Sequence, residues 1–418
     1  MAFQFQNLKR RLLLLLLTCP LAIQAGGKES SDPQELTRTE EAVSGLLADT
    51  PHINSLLVDR EVPLLGGRWG GDLFVDVPLN GEPEGANITL RRAKLNYARA
   101  FRNNWNMQLS ADYTDGGGLA ISDTNVSYRG WDRTVLSLGV YDPAFSLDSV
   151  SSSAGLTFME RSLPVVAISE KKSGGIGVLR RSPNSILDAT LVLFNVDRDD
   201  HREEGQGLVL HYVRSPLDVG GTDSIHFGGS LSYRWNASSE GTLFRSRPEI
   251  ATINDYYVDT GDIEGAEQIG RMSLEASQVS GRFSWQAELL GTRVTRSTGD
   301  DVFFWGTYAY ASWFLTNHTR NYDFGTGKFG KLKVAAPVLD GGVGAFEIAA
   351  RASVVDLTDS DITGGKAFNI SLGLNWYLNQ RVRLMTNLIK VIDVDRPGSE
   401  FDGLDPLILS LRFQLVLD

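Results

Sequence analysis

The sequence predicts an all-β chain that closes into a 16-stranded antiparallel transmembrane β-barrel. Three observations carry that expectation. About sixteen short segments of alternating polarity lie between Arg68 and Asp418, the links between them alternate between tight and long, and aromatic residues gather near strand ends on the apolar face. The clearest segment is the last: Leu407, Leu409, Leu411, Phe413, Leu415 and Leu417 share one face, while Ser410, Arg412 and Gln414 share the other. A soluble sandwich also has strands of this kind, so the repetition carries the argument rather than any one strand.

The N-terminus reads as an export signal, residues 1–25. Lys9, Arg10 and Arg11 precede an unbroken run from Leu12 to Leu17, followed by Pro20 and the small residues Ala25, Gly26 and Gly27. The run is too short to span a bilayer, and Thr18 and Pro20 are wrong neighbours for lipid attachment at Cys19. Cys19 is the only cysteine, so a chain cleaved after Ala25 has no disulfide, no thiol nucleophile and no thiolate metal site. Residues 26–67 read as a periplasmic extension, partly helical from Gln34 to Ala48, where Ala42, Val43, Leu46 and Leu47 cluster at helical spacing.

No later stretch of eighteen apolar residues occurs, so a membrane form must be a closed sheet whose backbone groups all pair internally. The net charge is -11, and removal of the three basic leader residues leaves 37 basic against 51 acidic side chains, or -14. A nucleic-acid partner is disfavoured, because displacing counterions needs clustered positive charge.

The strands read, in order, 68–78, 87–101, 104–114, 121–130, 133–141, 173–182, 185–197, 205–214, 223–236, 267–279, 281–296, 303–315, 345–356, 366–378, 380–393 and 406–417. Together they make residues 68–418 the barrel. Arg102–Asn103, Trp131–Asp132 and Pro183–Asn184 are tight turns, whereas 142–172 and 237–266 are long, as short periplasmic turns and long external loops require. A third long link, 316–344, falls on the short-turn side in this register. Either it folds up into the lumen, or the count slips there by one strand. Trp105, Tyr113, Tyr128, Tyr233, Trp235, Trp285, Phe346, Phe368 and Trp376 share the face of Leu, Val and Ala near strand ends, where interfacial girdles belong.

Three stretches carry a resemblance to a known family: RRAKLNYARAF from Arg91 to Phe101, LTFMERSLP from Leu156 to Pro164, and FEIAARAS from Phe346 to Ser353 followed by LGLNWYLNQRVRLMTN from Leu372 to Asn387. Across residues 68–418 the chain resembles the phosphate-selective porins, the O and P type porins of Gram-negative outer membranes. The resemblance implies a homotrimeric channel whose third external loop, here 142–172, folds inward as a constriction. Anions then pass along arginines and lysines on the wall. The chain departs from the pattern by ending in Leu417–Asp418 rather than an aromatic residue. It also departs in the loop 237–266, where Glu240, Glu249, Asp255, Asp259, Asp262 and Glu264 face only Arg245 and Arg247.

Alternation places wall charges independently of any family. With apolar residues outward, Arg92, Lys94, Arg129, Arg181, Arg234, Arg271, Arg282, Arg351, Arg383 and Arg412 point inward, against Asp112, Asp123, Asp188, Glu275, Glu288 and Glu347. Two readings stay open for these cations. They form a string of weak anion sites, or they pair with the acids into a rigid lumen network. Glu160 and Arg161 lie on the constriction loop, and tethering is favoured for both over a selectivity role for Arg161, because a loop in a water-filled bore must be held against its own entropy. Lys171 and Lys172 end that loop as a basic mouth or a solvated run. His211 and His226 fall on neighbouring strands, facing inward, as ordinary hydrogen-bonders or as a facing pair.

The resulting expectation is an outer-membrane porin for passive diffusion of small anions, with phosphate or polyphosphate implied by the resemblance. The alternatives are a weakly selective general porin and a non-conducting scaffold or receptor barrel. No catalytic residue, metal or cofactor is expected; the partners are small anionic solutes, outer-membrane lipid and two further copies of the chain.

Overall fold

A strand with one apolar and one polar face has an unpaired edge, and in lipid that edge must be closed. The closure is visible in a computed structural model, which describes residues 66–80, 87–114, 118–196, 204–219, 223–238 and 242–417. The predicted leader, and the predicted extension up to residue 65, lie outside the described residues. The strands are β1 (Arg68–Pro78), β2 (Thr89–Ala100), β3 (Trp105–Thr114), β4 (Gly118–Ile121), β5 (Thr124–Trp131), β6 (Thr134–Tyr141), β7 (Ser173–Ser182), β8 (Ser185–Asn195), β9 (Gln206–Val219) and β10 (Asp223–Trp235). They continue with β11 (Arg245–Ser246), β12 (Val258–Asp259), β13 (Ala266–Ser280), β14 (Phe283–Arg296), β15 (Val302–Phe314), β16 (Tyr322–Asp323), β17 (Lys328–Phe329), β18 (Ala345–Asp359), β19 (Ile362–Tyr377), β20 (Val382–Asp395) and β21 (Leu407–Leu417).

β11–β12 and β16–β17 are small hairpins in loops, and the rest form one antiparallel sheet. β4 and β5 both pair with β3 and are halves of one wall strand broken at Ser122 and Asp123, so the wall has 16 strands. Pairing of β1 with β21, from Gly71 opposite Leu417 to Pro78 opposite Ser410, closes it.

The wall strands agree with the predicted segments to within a few residues at most ends and run longer at some. β18 and β19 continue past 356 and begin before 366 because Ser360, at φ 53, makes a two-residue turn with Asp361. The outer face carries the aromatic pairs expected of a girdle: Trp105 with Tyr128 at 5.1 Å between ring centres, and Phe346 stacked on Trp376 at 5.4 Å.

The inner face is not simply polar. Ile269, Leu290, Val294, Phe304 and Val355 point inward and are buried against Phe145, Leu163, Val165 and Ile168 of the loop 142–172 and Phe244 of the loop 237–265. An apolar residue facing the bore is stable only where something apolar covers it, so these positions mark where loops fill the barrel.

Candidate functional site in the lumen

The loop 142–172 lies inside the barrel and contains two helices, α1 (Leu147–Val150) and α2 (Leu163–Ile168). Ser146 caps α1 reciprocally with Ser149, and Pro164 opens α2. The wall then holds the loop by its backbone. Glu275 Oε2 accepts the Leu147 N–H at 2.6 Å, Glu288 Oε1 accepts the Asp148 N–H at 2.7 Å, and the Ser230 and Ser273 hydroxyls donate to the Phe145 carbonyl. Two wall carboxylates at the first turn of a helix satisfy N–H groups that have no partner within it.

Arginines hold the far half of the loop. Arg383 donates to the Leu156 and Thr157 carbonyls, Arg351 to the Glu160 carbonyl at 3.0 Å, and Arg412 to the Met159 carbonyl. The Glu160 carboxylate lies 2.6 Å from both Arg91 and Arg412. Burial works to raise its pKa, but the two guanidinium groups outweigh burial and hold it well below the ordinary carboxylate range. At the loop's end, Glu170 lies between Arg234 and Arg271, and Arg271 also pairs with Glu204 at 2.6 Å. Here too burial is outweighed by Arg271 and Arg234, and the Glu170 carboxyl falls to about 2.

Two other segments enter the bore. Glu249, from the acidic loop 237–265, pairs with Arg351 at 2.9 Å and accepts the Leu163 N–H at 3.0 Å. That glutamate therefore braces the constriction. From the opposite mouth, the link 315–344 folds up into the lumen, which resolves the two readings of its position without a slip in the strand count. Its Tyr322 hydroxyl is 2.7 Å from Ser215 Oγ and 2.6 Å from His226 Nδ1, and a side chain at Gly327 would meet Ile186 and Val213 of the inner wall. The two inserted segments approach one another where Gly155 faces Gly330.

His211 and His226 do not oppose one another: His211 is opposite Ser230, and a bulge between Ile225 and Phe227 displaces the pairing. Both imidazoles nevertheless converge on Glu275 Oε1, at 2.7 and 2.9 Å. No cluster able to hold a metal ion occurs among the described residues.

The ten wall cations singled out in the sequence meet different environments. Arg234, Arg271, Arg351, Arg383 and Arg412 point inward but are buried in ion pairs or on loop carbonyls, with side-chain exposures of 3% or less. Arg92 and Lys94 face the bore and keep 21% and 13% of their side-chain surface. Arg181 donates to the Gly325 carbonyl of the 315–344 link at 2.5 Å, and Arg129 is exposed near the short-turn end of β5. Arg282 is a correction: it sits in the turn after β13 with its guanidinium 5.3 Å from the ring centre of Trp313, an exposed girdle residue, because the turn releases it from strand alternation. Arg161 is a tether of a different kind from a wall contact. It donates to the Asp148, Ser149 and Ser151 carbonyls at 3.0 Å each and staples the loop to itself.

Alternation misses Arg91. The β1–β2 register shifts between Phe74 and Val75, so Arg91 and Arg92, adjacent in sequence, both reach into the bore. The signal was present: strict alternation leaves Arg91 facing hydrocarbon, at roughly 2–4 kcal/mol near the midplane. Asp76, Glu170 and Glu204 are also missed, and Glu249 is read only as an acid of its loop; Glu170, Glu204 and Glu249 lie on loops, where period-two alternation does not apply.

What remains open lies on one side. From β8 round to β21 nearly all inward positions are buried, while β1 to β7 leave partly exposed Asp72, Arg92, Lys94, Asn96, Gln108, Asn125 and Ser137. Arg91 and Lys172 join this strip at 28% and 20% exposure, and Lys172 and Lys94 share Asp123. The strip is polar, runs along the wall and is lined by cations at several levels.

Residues 65–417 match the family described as phosphate-selective porin O and P. Porin O of Pseudomonas aeruginosa is 24% identical over 342 residues, covering 72% of this chain and 75% of that protein. An uncharacterized protein of Caulobacter vibrioides is 27% identical over 291 residues, covering 67% of this chain but only 58% of that protein's length. Among solved structures, an anion-selective porin from Comamonas acidovorans superposes with a TM-score of 0.52 at 13% identity, over 84% of this chain and 99% of that one. With a closed 16-strand wall, inserted loops and a family match over the entire barrel, the chain belongs to the phosphate-selective porin O and P family and is a porin of the Gram-negative outer membrane.

Proposed function

We propose that the pore passes small anions along the β1–β7 side of its lumen, with phosphate or polyphosphate as the substrate class that the family name suggests. The observation that carries this reading is the Arg91–Arg92 pair, in which the bulge brings Arg91 into the partly exposed strip beside the inward Arg92. Arg92 Nε lies 3.4 Å from Asp112 Oδ2, and Arg92 Nη1 reaches Ser153 Oγ at 2.8 Å. A partly exposed guanidinium beside a hydroxyl suits a tetrahedral oxyanion, and Lys94 and Lys172 give an ion further weak positions to move between. The buried arginines belong to the scaffold in this reading: they position the loops that confine solutes to the strip. Transport follows the solute's own gradient, with no cofactor and no covalent step, and the working unit is a homotrimer, as the family resemblance implies.

Asp123 and Asp142, both bonded to Lys172, favour a second reading in which selectivity is weak. Single-channel reversal potentials in a KCl gradient separate the two. Clear anion preference, reversed in Arg91→Glu/Arg92→Glu, supports the proposal. A potential near zero supports the weakly selective pore, cation preference overturns both, and absence of conductance supports a scaffold barrel.

A further inference from the structure

The outer wall treats its cations differently at its two rims. At the long-loop rim two outward basic groups are paired with acids: Arg293 with Asp301 at 2.9 Å and Lys390 with Asp405 at 3.1 Å. At the short-turn rim several arginines have no carboxylate partner among the described residues, and three of them lie on the wall between β7 and β14. Arg180, near the end of β7, is exposed and donates only to Thr134 Oγ1, at 2.9 Å. Arg214, on the outward face of β9 opposite Ser185, is exposed. Arg282 lies over Trp313 in the turn between β13 and β14.

Arg180 and Arg214 are set into an apolar surface. Leu187 pairs with Arg180 on one side and with Tyr212 on the other, and Phe227 pairs with Arg214; these three are 45%, 47% and 55% exposed. Trp131, in the turn beside Thr134, and Trp285 and Trp313, beside Arg282, place the polar boundary of the bilayer at this level. Guanidinium groups at that boundary, above exposed aliphatic and aromatic side chains, match a molecule with a phosphate at one end and acyl chains at the other. They face away from the bore, so a permeating solute does not meet them.

We propose that Arg180, Arg214 and Arg282 hold the headgroup phosphates of anionic phospholipids around the short-turn rim. The barrel thereby prefers net-negative headgroups on that side, while its long-loop rim, where Arg293 and Lys390 already hold carboxylates, shows no such preference. The inference rests on the outer wall facing a bilayer, and the test separates the two.

The purified full chain is reconstituted in phosphatidylcholine vesicles containing increasing fractions of brominated phosphatidylglycerol or brominated phosphatidylcholine, and quenching of tryptophan fluorescence is read. The expected result is a relative affinity for phosphatidylglycerol on the order of threefold above phosphatidylcholine at low salt, falling to about 1 near 1 M NaCl. In Arg180→Gln/Arg214→Gln/Arg282→Gln, whose correct folding is checked by unchanged single-channel conductance, the ratio falls to about 1 at every salt concentration. Equal quenching by both lipids in the wild type, or an enrichment that survives in the triple variant, overturns the proposal. Quenching by neither lipid overturns instead the bilayer placement of the wall.

Discussion

Arg412 Nη2 lies 2.6 Å from Glu160 Oε1 and joins the last wall strand to the constriction loop. The same guanidinium pairs with Asp76 of β1 at 2.6 Å, so one side chain ties the seam that closes the barrel to the loop that fills it. With Arg91 on its other side, Glu160 is the meeting point of β2, β21 and the loop.

Glu160→Gln is therefore expected to loosen the loop and leave Arg91 without its carboxylate, while Arg412 keeps Asp76. Breaking a buried pair by removing one partner costs about 3 kcal/mol, with part of that recovered here because Arg91 still reaches water. Single-channel recordings should show larger and noisier conductance with stronger anion preference. Conductance and selectivity identical to wild type would remove Glu160 from the account of the constriction.

Asp123 lies 2.5 Å from Lys94 and also bonds Lys172. In Asp123→Asn both ammonium groups keep an oxygen acceptor but lose a shared negative charge on the exposed strip. The reversal potential in a salt gradient should move toward the anion limit, by more at 0.1 M than at 1 M salt, because screening shortens from about 10 Å to about 3 Å. A shift in the cation direction would contradict the proposed path.

Gly306 on β15 admits the second helix of the constriction loop. A Cβ there would meet Pro164 Cβ at 2.6 Å and the Val354 carbonyl at 2.7 Å. Gly306→Val should cost roughly 1–3 kcal/mol through overpacking. It should push α2 toward the open strip, reducing conductance while leaving the wall's far-UV circular dichroism unchanged.

The Glu170 carboxyl, ordinarily 4.5, falls to about 2 between Arg234 and Arg271. Its folded value is depressed, so its contribution is complete above pH 4.5, where both folded and unfolded chains are ionised, and is lost as the pH falls toward 2. The amount involved is on the order of 3 kcal/mol. Protease cleavage within 142–172 should therefore stay slow at pH 5 and rise near pH 2. In Glu170→Gln cleavage should be raised at both pH values, with less change between them.

The wall was legible in the sequence from β1 to β21 because lipid admits little else: every second side chain must be apolar, and every strand must find two neighbours. Leu407, Leu409 and Leu411 announce their face regardless of context. Arg92, Lys94, Arg234, Arg271, Arg351, Arg383 and Arg412 were placed inward by the same rule, and the side chains do point there. The rule fails where the backbone leaves the regular ladder, at the bulge that turns Arg91 inward and in the turn that carries Arg282 outward.

By itself, then, the sequence determined a 16-stranded barrel, the face each strand turns to lipid and most of the inward charges, because period-two polarity against hydrocarbon is a local constraint. Only the tertiary structure decided which of those charges meet water. Arg234 and Arg92 read alike along the chain, yet one is sealed against Glu170 and the other lines the open strip. The difference comes from loops arriving from distant positions, with Glu170, Glu249 and Tyr322 meeting partners tens to more than one hundred residues away, and no period along a strand records what will be laid across it.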